Sequence, residues 1–300
     1  KLRFGFKQHT ATDEQGLVFI YGPAASGKSR FCEALRHAWG SYGQTAPQEL
    51  LLAAKYDRHP TELARLQSAR LVISAETQEG RSWDEARVKM LTGGDRVTAR
   101  YMRGDFFEFN PSMKLLIHGN YRPRLRNPDP AMRRRMMIVP FEHTIPEAER
   151  DESLFQKLEA EAAGILSWAI EGCQRWNEDR LKPPSCVVQA TDMYFTAEDI
   201  VQRWIDEQCT LADYCEATRS LLWQSWSAWC AGNGEHPGTQ RRLVSELERR
   251  EFQPVKIMGT RSFRGIGVKA AVDADLRSNC GIIGAPGRGL RLSTECFRYP

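Results

Sequence analysis

Eight consecutive residues, Gly22-Pro23-Ala24-Ala25-Ser26-Gly27-Lys28-Ser29, satisfy the spacing GxxxxGK[ST], which suits the holding of a chain of phosphates. Glycines let the backbone wrap closely around an anion. The N–H groups of the turn, with the positive end of a following helix dipole, then point at its oxygens. Lys28 would neutralise the β and γ phosphates and Ser29 would offer its hydroxyl to Mg²⁺. An ordinary glycine turn is the plain alternative, but the context favours the chemistry. Leu17-Val18-Phe19-Ile20-Tyr21 is a short apolar run of strand type, and helical spacing extends from about Lys28 to Trp39. Strand, glycine loop and helix are the setting this motif needs, so ATP and Mg²⁺ are the expected cofactors.

Three further groups fit phosphoryl transfer. Glu76 follows the apolar run Ala69-Arg70-Leu71-Val72-Ile73-Ser74, where a carboxylate can orient an attacking water or hold Mg²⁺; a solvated loop carboxylate is the alternative, and Glu79 a weaker substitute. Asn120 closes the run Lys114-Leu115-Leu116-Ile117-His118-Gly119 and can hydrogen-bond the γ-phosphate or the same water, but it equally fits a turn before Tyr121-Arg122-Pro123. Arg133-Arg134-Arg135 precede Met136-Met137-Ile138-Val139-Pro140-Phe141. A guanidinium there can reach a neighbour's γ-phosphate, or the three can form a solvated face.

The elements that must position these groups read as an open α/β sheet, whose ligands sit at strand carboxyl ends. Between the second and third strands, Asp84 to Leu91 reads as a helix and Gly93-Gly94-Asp95 as a turn. Val97 to Tyr101 with Phe106 to Phe109 then reads as a hairpin tipped by Met102-Arg103-Gly104-Asp105. From Glu147 to Asn177, Leu154, Leu158, Ile165, Trp168, Ile170, Cys173 and Trp176 suggest helices, as do apolar residues between Val187 and Cys209; Pro183-Pro184 separates the two stretches. A helix with Trp223, Trp226 and Trp229, a turn at Gly232-Asn233-Gly234, a helix from about Thr239 to Arg250 and strand-like pieces to Val268 follow the order of a winged helix. The expected division is an ATPase core over 1–147, a helical extension over 148–210, a winged-helix domain over 211–270 and a loose, disordered tail over 271–300.

The chain has 300 residues, 41% of them hydrophobic and 27% charged, with a formal net charge of +4. That excludes a wholly disordered chain, and with no run long enough to span a bilayer it predicts a soluble protein without a membrane partner. Eight cysteines at irregular spacing, without CxxC, fit reduced thiols in a cytosol better than a disulfide framework. Six histidines show no ligand spacing, so no zinc site is expected. From Thr239 onward, 12 Lys and Arg stand against 6 Asp and Glu, leaving 30 against 32 upstream. A basic end beside a neutral core suits contact with a phosphate backbone, or a solvated basic tail. A first residue of Lys1, not Met, suggests an excised fragment.

In chain order, the phosphate loop, strand-end Glu, hairpin after Gly-Gly-Asp, strand-end Asn and paired Arg before Pro-Phe resemble superfamily 3 helicases. The resemblance is closest to the phage and plasmid primase-helicases related to the poxvirus enzyme. It is carried by YGPAASGKS, LARLQSARLVISAET, KMLTGGDRVTAR, KLLIHGN and MRRRMMIVPF, and covers roughly residues 15 to 270.

The resemblance implies an ATPase core of the AAA+ type, assembled as a homo-oligomeric ring, usually hexameric, with each ATP at a subunit boundary and an arginine finger from the neighbour. Arg134 and Arg135 match the family's paired arginines, Arg135 being preferred as the finger, while Arg133 stands where the family often has an aromatic. The hairpin looks like the family's pore hairpin, which grips single-stranded DNA. There Tyr101 can stack on a base, Met102 lies at the tip and Arg103 can pair with a phosphate. Lys89 and Arg100 match recurrent family positions and are DNA-binding candidates, with structural or nucleotide contacts as alternatives. One departure stands out: many members carry two adjacent acids after the second strand, where this chain has Ala75-Glu76. In the winged helix, Arg241 and Arg242 open the recognition helix, and Lys256, Arg261 and Arg264 lie on the wing, suited to phosphate contacts or to a solvated surface. The three tryptophans read as core.

The expected function is therefore an ATP-dependent helicase or translocase of phage or plasmid replication, acting on single-stranded and fork or origin DNA in the bacterial host cytoplasm. An upstream primase domain is possible in the full-length protein. The alternative is an initiation module that binds ATP to assemble and scarcely hydrolyses it; a clamp-loader-like remodeller fits the hairpin segment less well.

Overall fold

Strands that are apolar along most of their length need cover on both faces, and this chain builds its first unit around four of them with a short polar fifth at one edge. The computed structural model describes residues 14–54, 59–76, 79–126 and 128–271, except the side chain of Glu76. The chain divides into two compact units, Lys1–Asp199 and Ile200–Pro300.

The first unit opens with β1 (Leu17–Tyr21), α1 (Lys28–Trp39), β2 (Gly43–Thr45), α2 (Thr61–Ala64) and β3 (Leu71–Glu76). It continues through α3 (Glu85–Gly93), β4 (Val97–Arg100), β5 (Phe106–Phe109), β6 (Lys114–Gly119), α4 (Pro130–Arg133) and β7 (Met136–Pro140). Three helices close it: α5 (Leu154–Ala160), α6 (Ala162–Asp179) and α7 (Ser185–Glu198). The first strand and helix, and the strand before Asn120, match their expected bounds.

The central sheet has the order β2-β3-β6-β1-β7, and every pairing in it is parallel. Register puts Leu17, Leu115 and Met136 on one face and Val18, Leu116 and Met137 on the other. The first face packs into the larger core with Trp83, Val88, Leu91, Met132 and Tyr194, where Phe19 meets Trp83 edge-on at 5.7 Å. The second packs against α1 through Cys32 and Leu35.

Local signals place the pieces around the sheet. Asp84 caps α3, its Oδ1 accepting from the Arg87 N–H at 3.0 Å, and Gly94 ends the helix at φ +81°, a conformation glycine takes without Cβ strain. The hairpin comes directly after it, β4 antiparallel to β5 with Val97 opposite Phe109 and Arg100 opposite Phe106. α6 packs on α1 as an outer layer, and one such contact covers only part of its circumference, so Trp168 and Ile170 of the expected apolar face stay exposed.

The second unit contains α8 (Ile200–Gln208), β8 (Cys209–Thr210), β9 (Glu216–Thr218), α9 (Arg219–Gly232) and α10 (Gln240–Arg249). It then runs through β10 (Gln253–Ile257), β11 (Thr260–Arg264) and β12 (Gly267–Val268). An antiparallel sheet of order β10-β11-β9 packs on α9 and α10 around Leu222, Trp226, Leu243, Leu247 and Phe263. The boundary differs from the sequence reading, which assigned residues up to 210 to the helical extension. Trp204 and Ile205 of α8 are buried in the second core, Trp204 edge-on to Trp226 at 5.6 Å, so this helix belongs to the second unit. The tail expected over 271–300 lies outside the described residues from residue 272 onward.

One contact seals an edge of the central sheet. β7 pairs only with β1, and on its free side the Thr191 hydroxyl of α7 accepts from the Ile138 N–H at 3.0 Å while donating to the Val187 carbonyl at 2.7 Å. Thr191→Val keeps the shape and leaves a buried N–H without its acceptor. It should lower the unfolding free energy by about 1–3 kcal/mol, read from chemical denaturation.

Candidate nucleotide-binding site

Because the sheet is parallel, β1, β3 and β6 all end at one edge, and the phosphate loop crosses that edge. Its residues Ala24 to Ser29 line a cavity of about 380 Å³ with Arg30, Ala75, His118, Gly119 and Asn120. This is large enough for a small ligand. The sequence reading thus brings loop and Asn120 together. Glu76 ends β3 in register with Gly119 beside this cavity, while its side chain lies outside the described residues. Glu79 is exposed.

Two glycines are required by geometry. A Cβ on Gly22 would lie 2.0 Å from the Phe141 carbonyl oxygen, because the β1 and β7 pairing continues past the strands through the Phe141 N–H to the Tyr21 carbonyl at 2.7 Å. Gly27 takes φ +86° where the loop turns into α1. α1 has no side-chain cap and no acid in its first turn, so its leading N–H groups and dipole face the cavity uncompensated.

Lys28 is 5% exposed. Its ammonium donates to the carbonyls of Gly22 at 2.9 Å and Pro23 at 2.5 Å and to Ser26 Oγ at 3.1 Å. Burial lowers its pKa from the usual lysine value. These acceptors are neutral, and no carboxylate pairs with the ammonium among the described residues. His118, absent from the sequence-level candidates, lines the same cavity with its pKa pushed below the ordinary imidazole value. Burial is the first cause and the Lys28 charge the second, against an opposing pull from Glu33. Its signal lay in strand alternation, which puts His118 on the face of Leu116, toward α1.

For Mg²⁺, Ser29 and the end of β3 are the available positions. Among the described residues no three His, Cys, Asp or Glu side chains cluster as a metal site. The Ser29 hydroxyl on the cavity wall suits an ion held mainly by water and phosphate oxygens with one or two protein ligands.

The arginines lie at the opposite edge. The Leu17 N–H donates to the Arg135 carbonyl at 2.7 Å, so the triplet sits where β1 begins and the loop sits where it ends. Five strand residues at about 3.3 Å each put roughly 16 Å between them. Arg135, the finger preferred from sequence, is 7% exposed and turned inward, donating to the Ala131 carbonyl at 2.9 Å and to Gln15 Oε1 at 2.7 Å. Burial, followed by the Arg134 charge, lowers its pKa, against the pull of Asp129 and Asp95. Arg134 is exposed, and its side chain makes no ion pair or hydrogen bond among the described residues. Arg133 pairs with Asp192 at 2.6 Å.

The remaining candidates separate in the same way. Lys89 is committed to Asp129 at 2.5 Å, linking α3 to the cap of α4. Arg100 lies over the Phe106 ring at 5.0 Å, bracing the hairpin. At the tip, Met102 is 75% exposed, Arg103 is exposed at φ +60°, and Tyr101 stacks on Phe107 with centroids 5.3 Å apart. In the second unit, Arg241 and Arg242 open α10 and are exposed, as are Lys256 and Arg261, which face each other across β10 and β11; Arg264 pairs with Glu216 at 2.9 Å.

Comparison with known proteins connects this chain to viral proteins described as putative helicases. A family model described as a family of unknown function (DUF5906) matches residues 20–135, the stretch from β1 to the arginines. "Putative helicase L207/L206" of Acanthamoeba polyphaga mimivirus is 24% identical over 243 residues, covering 73% of this chain and 25% of that protein. "Putative helicase 022R" of Frog virus 3 is 28% identical over 207 residues, covering 62% of this chain and 21% of its own length. The chain therefore spans about a quarter of the length of these relatives. Among solved structures, the apo C-terminal region of NrS-1 aligns with a TM-score of 0.44 at 12% identity, over 84% of this chain and 67% of that one. No helix among the described residues is long and apolar enough to cross a membrane.

Gly22→Ala should lower the unfolding free energy by about 1–3 kcal/mol, because its methyl must displace the Phe141 backbone. Gly164→Ala, on α6 with nothing within 4 Å of the added methyl, should instead raise it, by up to about 1 kcal/mol. Denaturant melts of the two variants check both signs.

Proposed function

We propose that this chain is the ATP-hydrolysing, Mg²⁺-dependent motor part of a helicase or translocase in the replication of viral or mobile-element DNA. The observation that carries the reading is the phosphate loop, with Lys28 buried above an uncapped helix start and Asn120 on the facing strand end. Similarity to proteins described as putative viral helicases supports the same class.

In this reading the Lys28 ammonium leaves its loop carbonyls for β- and γ-phosphate oxygens, and the N–H groups at the start of α1 hold the rest of the triphosphate. Ser29 and Glu76 hold Mg²⁺, which neutralises phosphate charge when bound. Asn120 orients the attacking water, with Glu76 as its base. A chain's own arginines, a strand length away, are out of reach, which supports catalysis at a boundary between copies in a ring, with six the family's usual number. Exposure favours Arg134 over Arg135 as the finger; Arg135 would position the segment from inside.

The hairpin is the proposed grip on single-stranded DNA, with Tyr101 and Met102 against bases and Arg103 against phosphate. Arg103 occupies a left-handed conformation that glycine adopts more easily and holds its exposed side chain at the hairpin tip. We read the second unit as a winged helix, on its order of elements and its antiparallel sheet, with Arg241, Arg242, Lys256 and Arg261 toward duplex phosphates. Lys89 and Arg100 serve structure in this reading. An ATP-assembled module with little turnover is the second reading, favoured by the methyl of Ala75 on the cavity wall. Stimulation of ATPase by single-stranded DNA supports the motor, and a flat response supports the second reading.

Two measurements test the assignments. Lys28→Ala and Arg134→Ala should each abolish ATPase, and mixing them should restore part of it at boundaries pairing an intact loop with an intact finger; no restoration removes the finger in trans. Arg134→Ala should stay within about 0.5 kcal/mol of the parent in stability, whereas Arg135→Ala should lose about 1–3 kcal/mol through stranded hydrogen-bond partners. Arg103→Gly should leave stability unchanged or raised while weakening single-stranded DNA affinity in a fluorescence anisotropy titration. Unchanged affinity would remove Arg103 from the interface.

A further inference from the structure

The floor of the phosphate-loop cavity carries two side chains set next to each other by strand register. Ala75 on β3 and His118 on β6 are parallel partners, and His118 in turn pairs with Ile20 on β1, so all three face α1. Ala75 presents only a methyl. His118 presents a half-buried imidazole that makes no hydrogen bond among the described residues. The other titratable groups lining this cavity among the described residues are the cations Lys28 and Arg30. One wall is therefore cationic and suited to phosphate, while the floor holds a ring whose charged form is disfavoured by burial and by Lys28. At neutral pH such a ring keeps one nitrogen lone pair free to accept.

Magnesium bound with a nucleotide retains several of its waters, and those waters need acceptors in the surrounding protein. Resting on the nucleotide-binding reading above, we propose that His118 is a positioning residue for the metal end of the nucleotide. Its unprotonated ring nitrogen accepts a hydrogen bond from a Mg²⁺-bound water, on the side of the site where Ala75 offers no polar atom. The divalent ion is thereby held from β6 beside the methyl of Ala75, in addition to Ser29 and Glu76, and Asn120, two residues on, remains free for the terminal phosphate or the lytic water.

The test is binding, read without turnover. The whole chain is titrated with a fluorescent, non-hydrolysable ATP analogue, once across a Mg²⁺ series and once in EDTA. His118→Ala should weaken the Mg²⁺ dependence by about 10- to 100-fold, the usual loss for an outer-shell partner, with affinity in EDTA unchanged. Ala75→Asp placed in that background should recover much of the loss, since a carboxylate on the neighbouring strand offers the missing acceptor. His118→Leu, which keeps bulk without a lone pair, carries the same comparison if the alanine variant folds poorly. An unaltered Mg²⁺ dependence overturns the proposal, and so does an equal loss in Mg²⁺ and in EDTA, which would mean a phosphate contact or a structural role. If the parent chain and Lys28→Ala bind the analogue equally poorly in both conditions, the nucleotide reading itself fails and takes this proposal with it.

Discussion

Five strands running the same way give the central sheet two chemically unlike edges, and the rest of the first unit depends on that polarity. At the edge where β1, β3 and β6 end, backbone carbonyl direction, the start of α1 and the Lys28 ammonium all meet. At the other, Arg134 and Arg135 enter β7. No side-chain rearrangement can bring the two together within one copy, because the separation is fixed by backbone length. The joint chemistry proposed for them would therefore be intermolecular.

Holding that polarity takes close backbone fitting. Gly22 touches the Phe141 carbonyl because β1 and β7 remain paired until the loop turns away, and the Ile145 N–H then reaches the Ala25 carbonyl at 3.0 Å. The loop is clamped from both ends before any ligand arrives. Lys28 contributes a third tie from within, so the loop is preorganised, and the triphosphate of the proposed reading would exchange hydrogen bonds with it instead of ordering it.

Much of this was legible in the residues. The motif and its flanking runs placed β1 and α1, and the Gly-Gly-Asp turn marked the hairpin, since Gly94 needs its positive φ there. What stayed hidden depended on burial and register. The sequence reading prefers Arg135 to Arg134 as the finger, and only packing against Gln15 and Ala131 shows Arg135 turned inward. Lys89 looked available for DNA until Asp129, forty residues later, closed on it. His118 carried no motif of its own and became notable through lateral alignment with Ala75. The unit boundary stays hidden because the apolar residues from Val187 to Cys209 read as one helical stretch, and Trp204 reveals its allegiance only in contact with Trp226.

The hydroxyl of Thr191 has a consequence for how copies can meet. By occupying the outward N–H of Ile138, it denies an incoming chain the first rung of a ladder along β7. A second copy of the chain meeting this edge would then do so through side chains, not by extending the sheet from β7. In the proposed ring, contacts of that kind would leave subunits free to loosen and reform, a freedom that a fused backbone seam would remove.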